Sequence, residues 1–131
     1  MGLNIQIIMT EELTALLVDD ENYIIELLQR ILNRNGITNV DAVATTREGL
    51  DLLRKKNYGL VLTDLNQNPS GLDVYRTATA KGSKAYIMTG YAPDMMEAQG
   101  VAKYHFLQKP FDIKTIDKII KNYIAQERYQ S

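Results

Sequence analysis

Leu17-Val18-Asp19-Asp20-Glu21 and Val61-Leu62-Thr63-Asp64-Leu65 decide how this chain folds. Each is a short apolar run that meets carboxylates at its end. Such runs suit strands buried on both faces, with the acids delivered at the strands' carboxyl ends. Outward from these two, similar runs recur at residues 40–44 (Val-Asp-Ala-Val-Ala), 85–88 (Ala-Tyr-Ile-Met) and 106–108 (Phe-Leu-Gln), the last too short to read from its own residues.

Helical patterns fill the spaces between the runs. Over residues 21–35, Ile24, Leu27, Leu28, Ile31 and Leu32 recur on one helix face, Glu26 precedes Arg30 at a favourable spacing, and Gly36 reads as the stop. Thr45-Thr46-Arg47-Glu48 is a capping box opening a second helix that carries Leu50 and Leu53 and ends near Asn57. A third spans about residues 72–80, stopped by Gly82, and a fourth opens at Pro93 and fades at Gly100. The last opens at Asp112, with Ile113, Ile116, Ile120 and Tyr123 on one face and Lys114, Lys118 and Lys121 on the other. Five β/α units in succession predict an α/β fold: a five-stranded parallel sheet in a doubly wound (βα)5, flavodoxin-like sandwich. In such sheets ligands sit at the carboxyl ends of the strands, where strand order reverses.

Composition narrows the function. The 131 residues fit one domain, read as residues 14–131 behind an N-terminal extension of residues 1–13. Apolar residues make up 45% and formal net charge is −1, which argues against direct nucleic-acid binding. The absence of cysteine excludes disulfides, thiolate zinc sites and cysteine nucleophiles, and is compatible with a reducing cytoplasm. The first residues lack a basic leader and a cleavage site, Gln6 breaks the myristoylation pattern, and no apolar run reaches membrane-spanning length. Met9 offers an alternative start.

On the predicted rim, Asp19-Asp20, Asp64, Thr89 and Lys109-Pro110 end the first, third, fourth and fifth strands. With the surrounding Leu17-Val18-Asp19-Asp20-Glu21, Val61-Leu62-Thr63-Asp64-Leu65, Met88-Thr89-Gly90-Tyr91 and Lys109-Pro110-Phe111, the set resembles the receiver domains of two-component response regulators, from about Ala15 to Tyr123. Clustered carboxylates repel one another, and a hard divalent cation relieves this. The resemblance implies Mg²⁺ held by Asp19, Asp20, Asp64 and the backbone carbonyl of Asn66. It implies that Asp64 attacks the phosphorus of a phosphohistidine on a partner histidine kinase or phosphotransfer protein. It gives Lys109 to the transferring oxygens, Thr89 to the phosphoryl group, Phe106 to the switch, and Asn66 and Tyr91 to tuning of dephosphorylation.

The implied readout is the face of helix 4, strand 5 and helix 5, including Tyr104 and the lysine stripe, acting on a downstream protein effector. No effector domain follows within these residues, so a stand-alone receiver is expected, and a phosphorylation-dependent dimer is left open. Neither membrane nor nucleic acid is expected as a partner.

Taken singly, these residues have blander readings. Asp19-Asp20 suits a solvated turn and cap, Thr89-Gly90 a turn, Phe106 the core, the lysine stripe a solvated face, and His105 a structural role. One departure stands out. The family usually places a proline four residues and a glycine eight residues after the acceptor, whereas here Pro69 and Gly71 follow Asp64 by five and seven. That loop reads as one residue shorter. The rival readings are a pseudo-receiver that binds protein without phosphoryl transfer, a flavin-binding electron carrier and a haloacid-dehalogenase-like phosphatase. Asp19-Asp20-Glu21 stands where a flavin phosphate cradle would be, and Asn66 where the phosphatase needs its second acid.

Overall fold

The computed structural model describes residues 6, 7, 9–90, 99–102 and 105–130. One parallel sheet holds β1 (Thr14–Val18), β2 (Asn39–Val43), β3 (Leu60–Asp64), β4 (Lys84–Thr89) and β5 (Phe106–Gln108), in the spatial order β2-β1-β3-β4-β5. Order therefore reverses at β1, and the crevice of such a sheet opens between the ends of β1 and β3. The register pairs Val18 with Thr63 and with Val43, so Asp19 and Asp64 leave the sheet beside each other.

Side chains alternate across the sheet and sort into two cores. Ala15, Leu17, Leu60, Leu62, Tyr86, Met88 and Leu107 face α1 (Asn22–Arg34) and the C-terminal helix (Ile113–Arg128). Leu16, Val18, Val61, Ala85, Ile87 and Phe106 face the other way, towards α2 (Thr46–Lys55) and α3 (Gly71–Ala80). Each fully buried leucine or isoleucine contributes about 1.5–3 kcal/mol of transfer free energy.

The helix ends follow from local chemistry. The Thr45 hydroxyl accepts from the Glu48 N–H at 3.1 Å, the N-cap half of the expected capping box, while the Glu48 carboxylate takes the Thr45 hydroxyl proton at 2.8 Å. Gly36, at φ 87°, ends α1 with the Ile37 N–H on the Leu32 carbonyl, and Gly82, at φ 91°, ends α3 with the Ser83 N–H on the Ala78 carbonyl.

Three differences from the sequence reading have physical causes. β2 is an edge strand whose side chains are at most half-buried, not a strand covered on both faces. In the C-terminal helix Ile113, the first residue, is exposed, and Ile124 joins Ile116, Ile120 and Tyr123 in the buried face, since helical spacing says which residues share a face and not where along the helix the cover begins. Residues 6–7 also pair antiparallel with residues 129–130, a ladder too short to carry any periodicity. The expected fourth-helix start at Pro93, with Tyr91 and Tyr104, lies outside the described residues. Among the described residues, no helix is long and apolar enough to cross a membrane.

Candidate functional site

Backbone bonds just past the strand ends tie β1 to β2, β3 to β4 and the end of β5 to β4. The Asp19 N–H donates to the Val43 carbonyl and the Leu65 N–H to the Met88 carbonyl, each at 3.1 Å; the Lys109 N–H donates to the Thr89 carbonyl at 2.7 Å. The Lys109–Pro110 and Asn68–Pro69 bonds are cis. Asp19, Asp64, Thr63 and Thr89 are buried, whereas Asp20 and Asn66 are exposed.

Lys109 is the hub. Its Nζ lies 2.8 Å from Asp19 Oδ2, 3.1 Å from Glu21 Oε1 and 3.6 Å from Asp64 Oδ1. The first two are hydrogen bonds; the third is an ion pair beyond good hydrogen-bond distance. Burial works against the charge on this ammonium. The hydrogen bond and field of Asp19, then Glu21 and Asp64, outweigh it and raise the lysine pKa well above its ordinary value.

One ammonium shared among three acids leaves the most buried of them only partly compensated. Burial pushes the Asp19 carboxyl up, and the Lys109 hydrogen bond and the Glu21 N–H, at 2.9 Å from Asp19 Oδ1, pull it back in part. Glu21 is held low, first by the Tyr23 hydroxyl and then by Lys109.

A carboxylate oxygen from each of Asp19, Asp20 and Glu21 lies within 4.8 Å of the others. This donor set is all oxygen, partly buried and short of positive charge, which suits a hard divalent ion such as Mg²⁺. Glu21 was not singled out as a site residue from the sequence. Its signal was its place directly after Asp19-Asp20, where a helix-opening acid is ordinary enough to pass for a cap.

The loop after Asp64 is closely packed. A Cβ on Gly71 would lie 1.9 Å from the Asp64 carbonyl oxygen, so only glycine lets α3 start this close to β3. The Gly71 N–H donates to the Leu65 carbonyl at 3.1 Å, and Ser70 caps α3 through the Leu72 N–H at 3.1 Å. The Asn66 N–H reaches Asp64 Oδ1 at 3.4 Å.

Phe106 is buried in the core shared by β4, β5 and α3, with Val101 and Ile87. His105 lies at that same edge, its Nδ1 2.5 Å from the Tyr75 hydroxyl and its ring edge-on to Tyr86. Its pKa is lowered, by burial and then by Lys84. Half-buried among tyrosines, it has the surroundings of a structural histidine. Lys114, Lys118 and Lys121 are exposed.

Residues 15–121 match the response regulator receiver domain family, and the chain belongs to it. Response regulator Rre1 of Synechocystis is 28% identical over 132 residues, covering 94% of this chain and 56% of that protein. The transcriptional regulatory protein FixJ of Azorhizobium caulinodans is 28% identical over 130 residues, covering 93% of this chain and 60% of that protein. The chain thus spans little more than half the length of these relatives. A CheY-like receiver domain from Methylobacillus flagellatus superposes with a TM-score of 0.69 at 27% identity, over 85% of this chain and 98% of that one.

Proposed function

We infer that this receiver domain accepts a phosphoryl group on Asp64 from a phosphohistidine of a partner histidine kinase or phosphotransfer protein, in a Mg²⁺-dependent reaction. The observation that carries this reading is the meeting of three acids on Lys109 at the carboxyl rim, with Asp64 Oδ1 3.6 Å from its Nζ. An Asp64 carboxylate oxygen bonds to phosphorus while the N–P bond of the phosphohistidine breaks, its electron pair returning to the imidazole nitrogen. Lys109, kept protonated by its acids, turns its charge on the transferring oxygens.

Asp19, Asp20, Asp64 and the carbonyl of Asn66 would hold Mg²⁺, with Glu21 beside them. When bound, the ion offsets the clustered negative charge and draws charge from the phosphoryl oxygens. Thr89, at the end of β4, is the hydroxyl that would receive the phosphoryl group's hydrogen bond. Phe106, three residues before Lys109 and buried on β5, would follow it as the switch. Asn66 and Tyr91 would tune the loss of phosphate. The signal leaves by the face of helix 4, strand 5 and helix 5 towards a protein effector, in the cytoplasm.

The test is intact mass after incubation with Mg²⁺ and acetyl phosphate, repeated with EDTA. A Mg²⁺-dependent gain of one phosphoryl (about 80 Da, the mass of the group transferred in this chemistry) supports the reading. No gain while Mg²⁺ still binds contradicts it.

A further inference from the structure

The loop from Asp64 to α3 carries an anchor that its shortened sequence does not explain. Gln67 Oε1 accepts the backbone N–H of Thr46 at 2.8 Å, and Gln67 Nε2 donates to the Ala44 carbonyl at 2.9 Å. The Thr46 hydroxyl, fully buried, donates in turn to the Pro69 carbonyl at 2.5 Å. Three hydrogen bonds therefore fasten the acceptor loop sideways to the connection between β2 and α2.

The chemistry of the anchor is specific. Thr46 offers a donor and Ala44 an acceptor, so the side chain that bridges them must provide both an acceptor and a donor, which a carboxamide does and a carboxylate does not. Asparagine has the same head on a stem one methylene shorter. On its other side, the Gln67 N–H donates to the Leu65 carbonyl at 3.0 Å, which makes Asn66 the tip of a tight turn. Asn66 itself is exposed. Its position is set by Leu65, tied to β4 through the Met88 carbonyl, and by Gln67, tied to Ala44 and Thr46.

We propose that Gln67 is a positioning residue that holds the Asn66 carbonyl in place for the divalent ion, so that the ion meets a preformed loop. This rests on the phosphoacceptor reading for the identity of the ion site. Groups that orient a ligand from behind govern metal affinity by fixing the ligand before the ion arrives. In this chain Gln67 and Thr46 supply that support across the rim, where the proline and glycine are displaced from the family's usual positions.

The experiment compares wild type with Gln67→Ala and Gln67→Glu in two measurements. One is the Mg²⁺ Kd by calorimetry; the other is amide hydrogen exchange over residues 66–70 in EDTA. Gln67→Ala weakens Mg²⁺ binding roughly tenfold, the low end of what losing an orienting partner costs, and speeds exchange of the Asn66 and Gln67 amides. Gln67→Glu keeps the acceptor for Thr46, sets a carboxylate against the Ala44 carbonyl, and falls between the two. Thr46→Ser keeps the hydroxyl to Pro69 and leaves both quantities at the wild-type values, while Thr46→Val moves them in the direction of Gln67→Ala. A Kd in Gln67→Ala equal to wild type overturns the proposal, as does unchanged exchange or a wild-type protein that binds no Mg²⁺. Wild-type phosphorylation by acetyl phosphate is scored separately. Its absence contradicts the phosphoacceptor reading without altering the Mg²⁺ comparison.

Discussion

Two clusters in this molecule share acids around lysines, and they behave as opposites. At the carboxyl rim, Lys109 serves Asp19, Glu21 and Asp64, with Asp19 and Asp64 buried. Between α1 and the C-terminal helix, Asp117 gathers the Asn35 amide at 2.8 Å, the Lys121 ammonium and Arg34 at 3.8 Å. The second cluster has more donors than acids and sits in water, where an ion pair is worth little. The first has more acids than donors and is shielded. There, one ammonium offsets three carboxylates only in part, so an added cation or phosphoryl group would change the balance strongly. Under the proposed function, the surplus of buried acid suits the rim to chemistry and the satisfied surface clasp to fastening.

Removing the hub should show the largest difference. In EDTA, Lys109→Met strips from buried Asp19 the one cation paired with it among the described residues, and costs about 3 kcal/mol of unfolding free energy in a urea titration, as for other broken buried pairs. A cost indistinguishable from that of a surface lysine breaks the contrast.

Acid should then separate the clusters by sign. The Asp19 carboxyl is raised by burial, so its protonated form is favoured in the fold; its contribution to stability is present at low pH and lost as pH rises through its folded pKa. Asp117 is lowered, by the Asn35 amide and then by Lys121, so its contribution is present above the ordinary carboxylate pKa of 3.8 and lost as pH falls through its folded value. In EDTA, Asp19→Asn is therefore expected to gain stability over wild type at neutral pH, with the gain shrinking towards acid. Asp117→Asn loses stability at neutral pH, and that loss also shrinks towards acid. Thermal melts from pH 3 to 7 (about the range in which carboxylates titrate) check both, and a gain from Asp117→Asn at neutral pH contradicts the assignment.

The single histidine sharpens the same curves. His105 is lowered by burial and then by Lys84, so the fold binds its proton less tightly than the unfolded chain, and stability falls as pH drops below the ordinary histidine value of 6.5. His105→Gln flattens that part of the profile. The smallest effect is expected from Lys121→Ala, a shift in Tm under about 2 °C, since the pair is exposed and one residue of an i,i+4 clasp.

How much of this was legible in the sequence depends on whether the signal was periodic or relational. β1, β3 and β4 were read nearly to the residue because runs such as Leu60-Val61-Leu62 are buried on both faces and carry no polar interruption. The capping box at Thr45 and the stops at Gly36 and Gly82 were readable because their chemistry is local. Ile113 misled because helical spacing says which residues share a face, not where along the helix the cover begins. The edge position of β2 was likewise invisible, since strand order is a property of the whole sheet.

In the site, Asp19, Asp64 and Lys109 were named and come together. Glu21 was missed, although it shares the lysine. Gln67 could not have been found, because its partners Ala44 and Thr46 are over twenty residues away and meet it only through the crossover. Residues that act through their own strand end can be read from a string of letters. Residues that act by reaching sideways need the fold.

The most direct measurement is intact mass of wild type and Asp64→Asn side by side, after Mg²⁺ and acetyl phosphate. One added phosphoryl on wild type and none on Asp64→Asn is the expected result. Equal phosphate on Asp64→Asn would contradict the assignment of Asp64 as the acceptor.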